Sequence, residues 1–188
     1  MVKDPNAGST ESNLKALELL SKAAELGHPR GQRDLGVWHE VIKKDAKQAI
    51  RWYSKAAEQG DAEAMFYLAL CYGNGRGAPQ DDKKAVSWHR KAADQGHVRA
   101  QFNVGIHYEN GFGVEKDIKQ AAKWYRRAAD EGHLIARNAL ETLHEANAEL
   151  GDSVDFLIDD ATTPRPQRTD QAPPARRRGW LPSIFGCG

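Results

Sequence analysis

Seven histidines and two cysteines are the side chains in this sequence most able to do chemistry. Histidines hold zinc when three or four ligands converge about 2.0–2.3 Å from one ion. His28, His97 and His133 recur at matching places, each directly after a glycine. A full repeat separates them, so they cannot reach a common ion. They read instead as polar residues at a helix C-terminus, where the dipole favours them. His39 and His89 fall where other repeats carry an aromatic ring, and read as packing residues. His107 stands beside Tyr108, and the sequence names no partner for it. No metal and no other cofactor is expected.

A cysteine nucleophile is the second chemistry to weigh. Cys71 lies in an apolar run beside Tyr72, a place for a small half-buried thiol. Cys187 sits in a very different context, so the two do not make a disulfide framework. The stretches Gly73-Asn74-Gly75-Arg76-Gly77 and Gly111-Phe112-Gly113 invite a phosphate. Neither ends in the Gly-Lys-Ser/Thr that grips one, so both read as turns. No Ser-x-x-Lys lies near a second catalytic motif. No catalytic residues are expected.

The elements around these residues recur. Gln120-Ala121-Ala122-Lys123-Trp124-Tyr125-Arg126-Arg127-Ala128-Ala129 is matched by Lys84 to Ala93, by Gln48 to Ala57 and, more loosely, by Lys15 to Ala24. The copies end at Gly27, Gly60, Gly96 and Gly132, at intervals of 33, 36 and 36 residues. A period of that length marks a helical repeat array. Each copy is an apolar stripe at helical spacing, termed here the B helix. Ser12, Asp45, Asp81 and Asp117 are its expected N-caps, and the terminal glycine closes it. The A helices lie between, near 29–40, 62–72 and 98–108, with a last one from Leu134 toward Leu150. Gly8 aligns with the loop glycines Gly77 and Gly113, so the chain reads as entering partway through a repeat, or as a fragment of a longer array. The three-residue-shorter loop Glu40 to Asp45 accounts for the short interval.

The pattern resembles the Sel-1-like repeat family, relatives of the tetratricopeptide repeats. Val98 to Gly132 fits the family's A-x-A-x-x-x-L-G-x-x-Y-x-x-G-x-G-V-x-x-D-x-x-K-A-x-x-W-Y-x-K-A-A-x-x-G at nearly every fixed position. Ala62 to Gly96 fits with Ala69 for the glycine and His89 for the tyrosine. The resemblance spans about residues 12–145. It implies an all-α solenoid of antiparallel helix pairs, a tetratricopeptide-like superhelix, and an adaptor or scaffold role in protein complexes. Some cysteine-rich relatives are linked to β-lactam hydrolysis, which makes a hydrolase the alternative. Their paired cysteines are absent from this sequence.

A binding surface can be read from the A helices. Phe66 and Leu70 lie on the side opposite Ala64 and Leu68, and Phe102 and Ile106 repeat the arrangement, with Arg33 and Val37 as predecessors. A helix apolar on two sides is buried on both or offers one to a partner. Arg30, Glu63 and Arg99, a turn earlier, would form a polar rim. The expected partner is a protein or peptide.

A net charge of +1, from 27 basic and 26 acidic residues, gives no reason to expect nucleic acid. Neither a signal peptide nor a spanning stretch is legible, so a cytoplasmic monomer is the expectation. The organisation reads as an irregular lead-in at 1–11, a repeat array at 12–150 and a disordered tail at 151–188, poor in apolar residues until its end. That end, Arg176-Arg177-Arg178-Gly179-Trp180-Leu181, continuing to Cys187, suggests a weak membrane contact through residues 176–188, with Cys187 a lipidation candidate. A membrane-associated regulator is therefore the other alternative, and an unstructured end the plainer reading.

Overall fold

The structure, a computed structural model, describes residues 7–149. Among them are eight helices and no strand: α1 (Ala7–Glu25), α2 (Pro29–Val41), α3 (Ala46–Glu58), α4 (Ala62–Gly73), α5 (Asp82–Asp94), α6 (Val98–Asn110), α7 (Ile118–Asp130) and α8 (Leu134–Glu149). Odd-numbered helices are the B type and even-numbered the A type. Each packs on the helix next to it in sequence, which makes the array a one-dimensional solenoid. The readings placed on residues 151–188, Cys187 among them, fall outside the described residues.

Local chemistry sets the boundaries. Asp45, Asp81 and Asp117 accept the backbone N–H of Gln48, Lys84 and Gln120 at 3.1, 2.9 and 3.0 Å, and so open α3, α5 and α7. Ser12 does not open α1. That helix starts at Ala7 and runs through both Gly8 and Ser12, so Gly8 is helical and not a loop glycine. No Pro interrupts Ala7 to Ser12, and helical hydrogen bonding there extends past the serine.

The four terminal glycines adopt φ between +83° and +93°, a conformation open to glycine at little cost. The residue after each one sends its N–H back to the preceding helix, to the carbonyl of Ala23, Ala56, Ala92 or Ala128. Three of these residues also cap the helix that follows. Asp61 accepts from the Ala64 N–H at 2.8 Å, His97 from Ala100 at 3.1 Å and His133 from Ala136 at 3.1 Å. This corrects the reading of the histidines as C-terminal dipole residues. Turn and cap share one residue, and an imidazole Nδ1 does there what a carboxylate does. His28 takes the same place without a side-chain cap bond.

The core is built from small residues. Ala49, Ala56, Ala85, Ala92, Ala121 and Ala128 are all fully buried, where B helices meet A helices at short range. Tyr53 and Tyr125 lie across Gly36 and Gly105; a Cβ there would meet the rings at 2.6 and 2.3 Å. Their hydroxyls donate to Glu40 and Glu109 on the same A helices. Trp124, 5% exposed, fills space beside the alanines under the Arg127 guanidinium.

Candidate functional site

Two recesses open between successive A helices. The first, about 430 Å³, is lined by Arg33, Asp34 and Val37 of α2 and by Glu63 and Tyr67 of α4. The second, about 300 Å³, is lined by Leu70 and Ala69 of α4, His89 and Asp82 of α5, Asn103, Ile106 and His107 of α6, and Phe112 of the following loop, among others.

Leu70 and Ile106 are thus brought together in one recess, both half-buried. Phe66 and Phe102 are not on that surface. Phe66 is 5% exposed and stacks on His97 at a centroid distance of 4.7 Å, with His89 at 5.6 Å. Phe102 stacks on His133 at 4.7 Å and against Tyr125 at 5.5 Å. In both repeats the phenyl ring braces the imidazole that caps the next A helix. Arg30 is exposed and pairs with Asp34 at 3.8 Å.

Glu63 collects the charges of the first recess. His97 accepts through Nδ1 at its cap, so its proton is on Nε2, which donates to Glu63 Oε2 at 3.0 Å. Arg99 binds the other carboxylate oxygen and covers the Phe66 ring at 4.5 Å. Partial burial works to raise the Glu63 pKa. The His97 hydrogen bond and the Arg99 charge outweigh it and hold the carboxyl below its usual range. Arg33, the cation in the lining of the recess, bridges Asp34 at 2.9 Å and Asp61 at 3.2 Å, so it is also paired.

The second recess has a polar floor with a definite direction. His107 Nδ1 lies 2.8 Å from the Phe112 carbonyl, which can only accept, so this nitrogen carries the proton. His107 Nε2 is then bare and accepts from His89 Nδ1 at 3.2 Å. His89 Nε2 is bare in turn and accepts the Asn103 amide at 3.1 Å. The chain Asn103, His89, His107, Phe112 therefore runs one way with both imidazoles neutral. Burial pushes His89 down to about 3, with the neighbouring His107 and His97 adding to the shift. His107 is also lowered by burial, against the pull of the Phe112 carbonyl and Asp82. The histidine that the sequence left without a partner thus has two.

Nothing in this arrangement is a nucleophile or a metal cage. The Cys71 thiol is buried, and burial pushes it up to about 12, which keeps it protonated and inert. Among the described residues no group of three or more His, Cys, Asp or Glu is placed to hold a metal ion, and no helix is long and apolar enough to cross a membrane.

Sequence reasoning missed the link between the glycine, the tyrosine and the glutamate. The signal was in the aligned repeats: Gly36, Tyr53 and Glu40 become Ala69, His89 and Gly73, and then Gly105, Tyr125 and Glu109. Only the packing shows that these three positions touch.

The Sel1 repeat model matches residues 7–28, 29–61, 62–97 and 98–133. The fold is similar to a Sel1 repeat protein from Oxalobacter formigenes, with 37% identity and a TM-score of 0.63, over 67% of this chain and 53% of that one. It is also similar to a protective antigen of uropathogenic Escherichia coli with an SLR fold, with 30% identity and a TM-score of 0.68, over 76% of this chain and 31% of that one. In sequence it is 31% identical over 80 residues to the DAP3-binding cell death enhancer 1 of Rattus norvegicus, covering 42% of this chain and 16% of that protein. The chain spans no more than 18% of the length of the curated relatives it matches. With the repeat model over more than half of its residues and a fold shared with Sel1 repeat and SLR structures, the chain belongs to the Sel1 repeat family, whose members generally mediate protein–protein interaction.

Proposed function

We propose that the chain is an adaptor module that holds a segment of a partner protein against the recesses between α2, α4 and α6. The observation that carries this reading is the pair of recesses between successive A helices, one lined mostly by charged side chains and one with apolar walls over a polar floor. Such a surface suits an extended segment whose side chains alternate between them. Leu70 and Ile106 would supply the central contact. Phe66 and Phe102 would act from beneath, by fixing the histidine caps. Arg30, Glu63 and Arg99 would form the rim, where charges in contact with solvent set register and association rate more than affinity. The name of the rat relative, which describes it as binding a protein, agrees with a partner-holding role.

The test begins by identifying a partner through cross-linking and mass spectrometry, then measures its affinity for variants by calorimetry. Leu70→Glu and Ile106→Glu should abolish binding while circular dichroism stays unchanged. Arg99→Glu should weaken it and alter its salt dependence. A folded Leu70→Glu protein that binds the partner normally would sink the reading.

A further inference from the structure

The repeat at 62–97 departs from its neighbours at three touching positions, and the departure makes a pocket. In the flanking repeats a tyrosine ring crosses a glycine and its hydroxyl reaches a glutamate. Here the ring is His89, which is shorter than a phenol. The glycine is Ala69, whose methyl takes part of the released room. The glutamate is Gly73, which brings no side chain at all. What remains is the recess of about 300 Å³.

The polar atoms of its floor are committed. His89 and His107 bond to each other, to Asn103 and to the Phe112 carbonyl. Asp82 is the single lining residue charged at neutral pH, because burial keeps both imidazoles neutral. The walls include Leu70, Ile106 and Phe112, the last 49% exposed. Wall and charge are also held together. Gly113, at φ +73°, packs so closely on the Asp82 backbone that a Cβ would lie 2.3 Å from its carbonyl oxygen. The loop carrying Phe112 is thereby pinned to the start of α5, which lowers the ordering cost of binding.

The volume is at the small end of ligand pockets, about 300–1,000 Å³, and suits one long side chain. An acidic tip would meet Asp82 with no lining cation to offset it. A wholly apolar one would desolvate the carboxylate and leave it the Gln80 amide, 3.2 Å from Oδ1, with no cation to offset its charge. We propose that this recess is an anchor pocket for a lysine or arginine side chain of the bound protein segment. The stem lies between Leu70, Ile106 and Phe112, and the cation reaches Asp82. The assignment rests on the partner-holding reading above and adds the class of residue recognised.

The experiment titrates the full, isotopically labelled chain with N-acetyl-lysine N-methylamide and with its norleucine counterpart, following amide shifts by NMR. The two probes share a stem and differ in the ammonium group. Shifts should concentrate at Leu70, Asp82, Asn103 and Phe112, and the lysine probe should bind about fivefold more tightly, the size of a half-exposed ion pair. Asp82→Asn should erase that preference. Gly73→Leu should block both probes while the spectrum stays folded, since a Cβ at 73 meets nothing nearer than Ala85 Cβ at 3.5 Å. Equal affinity for the two probes, a preference that survives Asp82→Asn, or shifts confined to other surfaces would each overturn the proposal. A partner whose affinity is lost in Leu70→Glu but unchanged in Asp82→Asn would remove the anchor pocket and leave the adaptor reading standing.

Discussion

Gly105→Ala tests the lock between A and B helices most directly. In an exposed helix the change is stabilising by about 0.5–1 kcal/mol, because alanine loses less backbone entropy. At 105 the new Cβ would lie 2.3 Å from Cε1 and 2.4 Å from Cδ1 of Tyr125, well inside van der Waals contact. That ring is 1% exposed and its hydroxyl is tied to Glu109, so it has little room to retreat. Overpacking of this kind costs about 1–3 kcal/mol. Pulling the hydroxyl off a carboxylate adds about 1.5–3 kcal/mol. Against the helix gain, the expected net loss is about 1.5–5.5 kcal/mol in urea unfolding of the full chain followed by circular dichroism. The chain contains its own compensating pair, Ala69 with His89. Adding Tyr125→His to Gly105→Ala should therefore recover part of the loss, with a coupling energy of about 0.5–3 kcal/mol in the double-mutant cycle. A Gly105→Ala protein as stable as the parent, or a cycle with no coupling, would refute the argument.

Other expectations follow from the same geometry. Trp124→Ala should cost about 3–5 kcal/mol, since the indole is buried among alanines that cannot close the gap; urea melts check it. Asp117→Ala should cost about 1 kcal/mol through loss of the cap bond to Gln120 N–H, read in the same melts. His89 and His107 are neutral when folded and take up protons more readily when unfolded, so stability should fall as pH drops below the unfolded value of 6.5, for His89 down to about 3. Each such histidine contributes at most about 1.4 kcal/mol per pH unit in that window. A His89→Gln protein should show a shallower loss between those limits, measured as unfolding free energy against pH.

The repeat period, the helix pairs and most helix ends were legible in the sequence, because a solenoid is held by local rules. Asp45, Asp81 and Asp117 cap at the first turn of the B helices, and the four glycines close them. Each helix meets its sequence neighbours, so the order of the chain already states who packs on whom. The start of α1 was less legible, since a lone serine is a weak cap signal beside continued helical hydrogen bonding. Tertiary structure decided what the histidines do. Whether an imidazole after a glycine ends one helix or begins the next depends on where Nδ1 points, and His97 and His133 point forward. It also decided the sides of the A helices. Periodicity placed Phe66 and Leu70 on one face, but side-chain length and the next repeat's cap put the phenyl in the interior and left the leucine at a recess. The pairing of His89 with His107, 18 residues apart on different helices, was beyond any local pattern. It follows from one repeat giving up its tyrosine, a change whose consequence exists only where three helices meet.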